Sequence, residues 1–309
     1  MTIYTDTTKR QDFMYLYDVS DGNPNGCPDA NNLPRIDYET NQGLMTDVAI
    51  KRKIRDAIAL TNEGEDGYNI YVRPKGILTR EQEKAFEHLS KKESDQTAET
   101  KKDARAYMCE KYYDVRMFGA VMNTKKYNCG QVRGPVQLTF ARSVDPVTPI
   151  DLSITRVALT NATDTKKGSE DDTEARSGQM GRKAFIPYGL YVCYGYFTPA
   201  FAEQTGVSSR DLKLFFESLT SMWDYDHSAS RGRMACRGLY VFSHDHKLGN
   251  APSDQLFDQI QIQRTSASGQ AAPRSYKDYE VKINERLPEG VTLTKVVDRF
   301  ESMPLLAAN

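Results

Sequence analysis

Histidine and cysteine are scarce in this chain, with four and five copies in 309 residues. The cysteines (Cys27, Cys109, Cys129, Cys193, Cys236) are odd in number, widely spaced and form no CxxC pair. A disulfide framework or a zinc ribbon is therefore not expected. No HExxH-type spacing occurs. His244-Asp245-His246 would set two imidazoles on one face of a strand, as metal ligands might be, and a polar strand end explains the same run. No metal site and no cofactor are expected. GxSxG, GxxxxGK[ST] and GxGxxG are all absent, so no catalytic residue is marked.

Excess charge is lacking too. The formal net charge is -1, unlike the strongly basic total of many nucleic-acid binders. A total conceals distribution, and a near-neutral chain can still carry a basic stripe. No apolar run approaches the roughly 18 residues of a membrane helix. The opening MTIYTDTTKRQD has no apolar core of a signal peptide. The expectation is a cytoplasmic protein with no membrane partner.

What is present is a patterned chain. "DFMYLYDVS" (Asp12–Ser20) reads as a strand ending in a turn. "TDVAIKRKIRDAIALT" (Thr46–Thr61) is the clearest helix, with Thr46 as N-cap, Asp47 in the first turn, and Ile50, Ile54, Ala57 and Ile58 on one face. "GYNIYVRP" (Gly67–Pro74) reads as a strand. Thr79 to about Tyr113 reads as helical with a break near Ser94–Glu99. "RMFGAVM" and "GPVQLTFARSVDPV" read as strands, as does "KAFIPYGLYVCYGYF". A helix over Ser209–Trp223 buries Leu212, Phe215, Phe216 and Leu219, and "RGLYVFSHDH" is a last strong strand. The tail offers a short strand at Tyr279–Asn284 and a small helix near Thr294–Arg299. With the polar insertions set aside, strand, helix, strands, strand, helix, strand is the βαββαβ order of an α+β, ferredoxin-like fold.

Three stretches carry binding chemistry. "NPNGCPDANNLPR" (Asn23–Arg35) offers the amides of Asn23 and Asn25, the close backbone approach of Gly26, and the cation of Arg35. The helix that follows packs Lys51, Arg52, Lys53 and Arg55 into five residues. A solvated helix face explains that cluster equally well by itself; beside the amide-rich loop it reads as Coulomb attraction for a phosphate chain. "GQMGRKAFIPYG" alternates Arg182 and Lys183 with Met180 and Phe185, a pattern that suits single-stranded nucleic acid, though a hairpin base would look similar. Gln131 and Arg133 in "NCGQVRGPVQ" form a weaker third patch.

"NPNGCPDANNLPRID" and "GLMTDVAIKRKIRDAI", followed in order by "YDVRMFGAVM", "GPVQLTFARSVDPV", "ITRVALT" and "GQMGRKAFIPYGLY", resemble the CRISPR-associated Cascade backbone subunits. These form the Cas seven family of the RAMP superfamily, and the type I-C form is the most similar. The resemblance implies an RRM-like palm (1–78 and 115–250), an inserted helical lobe (79–114), a β-hairpin thumb (158–187) and a C-terminal extension (251–309). It implies a non-catalytic subunit that oligomerises with sister copies as a helical filament along CRISPR RNA. The guide would then pair with target DNA, and other Cascade subunits would be partners. Guide contacts carried onto this chain are Asn23, Asn25, Arg35, Lys51, Arg52, Arg55, Met180, Arg182, Lys183 and Phe185. Cys27 stands where the family's loop usually has an acid. The alternative is a metal-dependent ribonuclease of the same superfamily, using His244 and His246, loop carboxylates or a thumb aspartate such as Asp164, Asp171 or Asp172.

Overall fold

The strand β1 (Gln11–Gly22) runs through the middle of a computed structural model that describes residues 2–156, 179–265 and 271–300. Its residues are buried on both sides. Phe13, Tyr15, Tyr17 and Val19 enter one core, while Met14 and Leu16 enter another. Burial on two faces explains why this stretch is almost continuously apolar. Its neighbours are β10 (Gln179–Phe197) and β11 (Arg233–His244), both antiparallel to it. The sheet extends outward to β8 (Ala141–Pro146) and β4 (Gln42–Met45) on one side and to β14 (Val291–Asp298) on the other. The molecule is thus a mixed α/β protein with a central antiparallel sheet. Short β7 (Val136–Leu138) also pairs with β10, and β9 (Ile150–Arg156) forms a hairpin with the first part of β10.

Two helices cover one face. In α1 (Asp47–Thr61) Thr46 caps the N-terminus by accepting the Ala49 N–H, and Ile50, Ile54, Ala57 and Ile58 point into the core. In α6 (Ser209–Tyr225) Ser208 and Asp211 form a capping box, so both satisfy first-turn donors. Leu212, Phe215, Phe216, Leu219, Met222 and Trp223 are buried beneath it, each large apolar side chain contributing about 1.5–3 kcal/mol. Trp223 keeps its polar handle satisfied by donating to the Tyr15 hydroxyl at 2.7 Å.

The opposite face is covered as well. Tyr188, Leu190, Tyr240 and Phe242 pack with Met14 and Leu16 against α7 (Ser253–Phe257) and the hairpin of β12 (Ile260–Arg264) and β13 (Tyr279–Ile283). A separate small core joins α2 (Leu78–His88), α3 (Ala98–Lys111), α4 (Tyr113–Phe118) and the hairpin β5 (Gly119–Met122) with β6 (Gly130–Arg133) around Phe86, Met108 and Met122. Helix α5 (Pro199–Thr205) leads into α6. The opening loop contains the two-residue strands β2 (Gly26–Cys27) and β3 (Leu33–Pro34), joined through a single 3-10 turn at Pro28–Ala30. Among the described residues no helix is long and apolar enough to cross a membrane.

Three expectations are corrected. Gly67–Pro74 is not a strand; it has one isolated bridge, Asn69 to Tyr112, and the Tyr71 and Val72 N–H groups donate to the Asp114 carboxylate. Those donors need no neighbouring strand once a side chain accepts them. Arg116–Phe118 ends a short helix, and only Gly119–Met122 is extended. The helix expected near Thr294–Arg299 is strand β14, which pairs with β11 at the edge of the main sheet.

Candidate nucleic-acid interface

The opening loop is built by its own amides. Asn23 is buried and donates from Nδ2 to the Asn32 carbonyl at 2.7 Å. The Asn25 Oδ1 accepts the Thr46 N–H at 3.0 Å, which fixes the loop to the cap of α1. Gly26 lies close under Asn32, since a Cβ there would lie 1.8 Å from Asn32 Oδ1 and that side chain would have to move. These three residues shape the loop. The Asn23 Nδ2 and the Asn25 Oδ1 are thus engaged within the protein, while the Asn23 Oδ1 is buried without a hydrogen-bond partner.

The cations of α1 are also engaged. Lys51 pairs with Asp47 at 3.0 Å, and Lys53 with Asp226 at 2.8 Å. Arg52 donates to the Val72 carbonyl at 2.8 Å. Arg55 is buried, its Nε 2.8 Å from Asp114 Oδ2 and its guanidinium over the Phe118 ring. The cations of this helix are thus held by partners within the protein, Arg52 remaining the most exposed of them and Arg55 nearly buried. Asp114 and Asp226 are distant in sequence, so the helix alone gave no sign of them.

The third patch lies elsewhere. Gln131 and Arg133 are exposed on β6, with the Arg133 guanidinium 4.3 Å from the Phe201 ring centre of α5.

The hairpin of β9 and β10 behaves differently. Its register sets Phe185 opposite Ile150 and Lys183 opposite Leu152, so these side chains share one face. Leu152 and Ile154 are 49% and 48% exposed on that face. Arg182 lies on the other face, exposed and paired with Asp151 at 2.9 Å. Lys183 and Phe185 are half-buried. The side chain of Met180, residues 157–178 and the thumb aspartates lie outside the described residues.

Loop and hairpin meet at one place. A groove of about 220 Å³ is lined by Leu33, Arg35, Ile36 and Tyr38 from the loop, and by Phe140 and by Pro149 at the root of the hairpin. Asp37 beside it accepts a bond from Arg142 at 2.7 Å, and that guanidinium holds its carboxyl below the usual range. Tyr38 and Phe140 were not singled out from sequence. An aromatic flanked by acids and another at a strand junction carry no local motif.

The pair of histidines weighed as metal ligands at the end of β11 has another arrangement. His244 is fully buried; its Nδ1 accepts the Asn250 N–H at 2.8 Å and its Nε2 faces Asp12 Oδ2 at 3.1 Å. His246 is exposed, and its Nδ1 accepts the Leu248 N–H. Both ring nitrogens of His244 are thus committed to structure. Among the described residues no three His, Cys, Asp or Glu side chains gather as metal ligands.

A family model described as CRISPR-associated protein Cas7 matches residues 9–284. The chain belongs to the Cas7 family. A Cas7 relative from Haloferax volcanii, described as "CRISPR-associated protein Cas7", is 24% identical over 316 residues, covering 96% of this chain and 86% of the relative. Among solved structures, a chain of a "CRISPR RNA-guided surveillance complex, pre-nicking" is similar with a TM-score of 0.48 at 12% identity, covering 75% of this chain and 78% of that one. A chain of a second "CRISPR RNA-guided surveillance complex" has a TM-score of 0.45 at 15% identity, covering 75% and 68%.

Proposed function

We propose that this Cas7-family protein is a non-catalytic backbone subunit of a type I CRISPR surveillance complex, of the I-C form. It oligomerises with sister copies as a filament along CRISPR RNA, beside the other subunits, and presents the guide for pairing with target DNA. The observation that carries this reading is the meeting of the opening loop and the hairpin root at one groove, inside the segment the family model matches.

The order β11–β1–β10–β8, with α1 and α6 on one face, supports an RRM-like palm. The hairpin rising from β10 is assigned as the base of the thumb, and α2 to α4 as the inserted lobe. In an RRM the open sheet face stacks bases. Here α7, β12 and β13 cover that face, so the RNA path runs along the loop and hairpin. Arg35, Arg182 and Lys183 are the cations assigned to it, with Lys51 and Arg52 at its margin and Arg55 as a structural support. The commitment of His244 to Asp12 and Asn250 favours the non-catalytic reading over the ribonuclease.

Co-expression with a repeat–spacer transcript tests the proposal. The expected product is a multi-copy particle with a short bound RNA, found by mass measurement and sequencing of the RNA. A solitary polypeptide that stays solitary when guide is added would overturn it. Discrete cleavage of labelled guide in the presence of a divalent metal would overturn the non-catalytic part.

A further inference from the structure

We infer that the corner of the sheet where β14 stops is a docking edge for an acidic, extended segment of a partner protein, an inference independent of the RNA-binding reading above. β14 pairs with β11 only over Gly238–His244. One further bond, from the Arg299 N–H to the Arg237 carbonyl at 2.9 Å, ends the ladder. The chain then bends, and the Asp298 carboxylate accepts the Phe300 N–H at 3.0 Å. Arg233–Cys236 pairs with β1 on its inner side, Arg233 opposite Ser20 and Cys236 opposite Tyr17. Among the described residues no strand pairs with its outer side. Four residues of strand span about 13 Å. An open edge of N–H and C=O groups is a template for an incoming strand.

Charge at this corner selects the occupant. Arg233 and Arg299 are exposed, and neither guanidinium has an ion-pair or hydrogen-bond partner among the described residues. Arg237 between them in the ladder is already committed, to Asp18 at 2.9 Å and to the Tyr276 ring at 4.1 Å. The same edge of a second copy would bring two more guanidiniums against these, so like charges oppose pairing of two such edges. An RNA phosphate chain would answer the cations and leave the main-chain donors and acceptors unused. The aromatic face nearby is taken as well, since Tyr276 carries Arg237 and packs edge-on with Phe300. A strand bearing carboxylates meets both demands, with main-chain bonds along β11 and ion pairs at Arg233 and Arg299. Cys236 and Val297, half-buried against the main core, receive its alternate apolar side chains.

The test uses the full chain and a fluorescein-labelled peptide of alternating glutamate and valine, followed by anisotropy and by hydrogen exchange of the chain. Binding that weakens as salt rises is expected, with slower exchange at the amides of residues 233–236. Two control peptides are expected to stay unbound. One has lysine in place of glutamate, and the other is N-methylated at every residue and cannot complete a ladder. Arg233→Glu combined with Arg299→Glu is expected to weaken binding on the order of tenfold. Both residues are exposed, so folding is retained, as circular dichroism checks, and the paired lysine substitutions keep binding. If the N-methylated peptide binds as well as its parent, the corner is a patch of charge without a strand seat and the proposal falls. It falls too if the glutamate variant binds like the native chain, since the peptide then sits elsewhere. Binding seen only after residues 301–309 are removed would give the edge to the chain's own end. A native chain that ignores the peptide, with RNA affinity lost in the glutamate variant, would give the corner to phosphate instead.

Discussion

The guanidinium Nε of Arg55 lies 2.8 Å from the Asp114 carboxylate, with both side chains almost wholly out of solvent. Asp114 also accepts the N–H groups of Tyr71 and Val72. The pair therefore ties α1 to the chain that enters the helical lobe. Removing one partner leaves a buried charge without compensation. Arg55→Ala is expected to lower stability by about 3–5 kcal/mol, read as a drop in the midpoint of urea unfolding. By contrast, Lys51→Ala removes a partly exposed i,i+4 pair with Asp47 and a cation–π contact with Phe118, and is expected to cost less, about 1 kcal/mol. Equal effects from the two substitutions would contradict the structural role given to Arg55.

The cations near the groove are expected to act through phosphate. Arg35→Ala and Lys183→Ala should weaken binding of every single-stranded RNA alike. For each phosphate left without its cation, the slope of log affinity against log salt should become shallower by about 0.7. Filter binding at several salt concentrations gives the slope. A weakening confined to particular sequences would point to base readout at these positions.

Gly26→Ala tests the loop. The added Cβ would meet Asn32 Oδ1 at 1.8 Å and Asn32 Cγ at 2.6 Å, so the exposed Asn32 side chain must turn out of its place. RNA affinity should fall while the melting temperature changes little, because the loop is outside the main cores. Adding Asn32→Ala removes both clashing atoms and should restore part of the affinity. No recovery in the double variant would show that the backbone conformation, rather than this clash, sets the requirement.

Asp211 gives a pH prediction. Burial raises its pKa and is the largest single cause, but the Arg116 guanidinium and the Ser208 donors together outweigh it and hold the carboxyl below its ordinary value. Arg116 reaches Asp211 through two bonds, at 3.1 and 2.7 Å. A depressed folded pKa contributes stability above the unfolded value of about 3.9. That contribution is lost as pH falls through the folded value. Arg116→Met should therefore make acid unfolding begin at higher pH, as followed by circular dichroism. A profile unchanged in shape and position would remove Asp211 from the account of acid stability.

Much of the fold was legible because its main elements obey one period each. The cap at Thr46 and the spacing of Ile50, Ile54 and Ile58 define α1. The aromatic alternation of β1 and β10 was equally clear. Strand β14 was missed although "VTLTKVVD" is rich in β-branched residues, because Lys295, Asp298 and Arg299 give it the look of a charged helix end. Helix α5 went unnoticed, yet Pro199 at its start and Gly206 in the left-handed conformation after its end are the expected signals. The site was less legible for a different reason. Cations on α1 can be counted from sequence, whereas Asp114 and Asp226 reach them only through the tertiary fold. Tyr38 and Phe140 are likewise ordinary aromatics until the chain brings them to one groove.

The cover formed by α7, β12 and β13 has a consequence for biosynthesis. Helix α7 and strands β12 and β13 leave the ribosome after β1, β10 and β11, whose Met14, Leu16, Leu190, Tyr240 and Phe242 they shield. Until they arrive, a nascent chain carries a wide greasy surface in open water, the kind of surface on which unfinished proteins clump. Cutting the gene short after about residue 250 would make that transient state permanent.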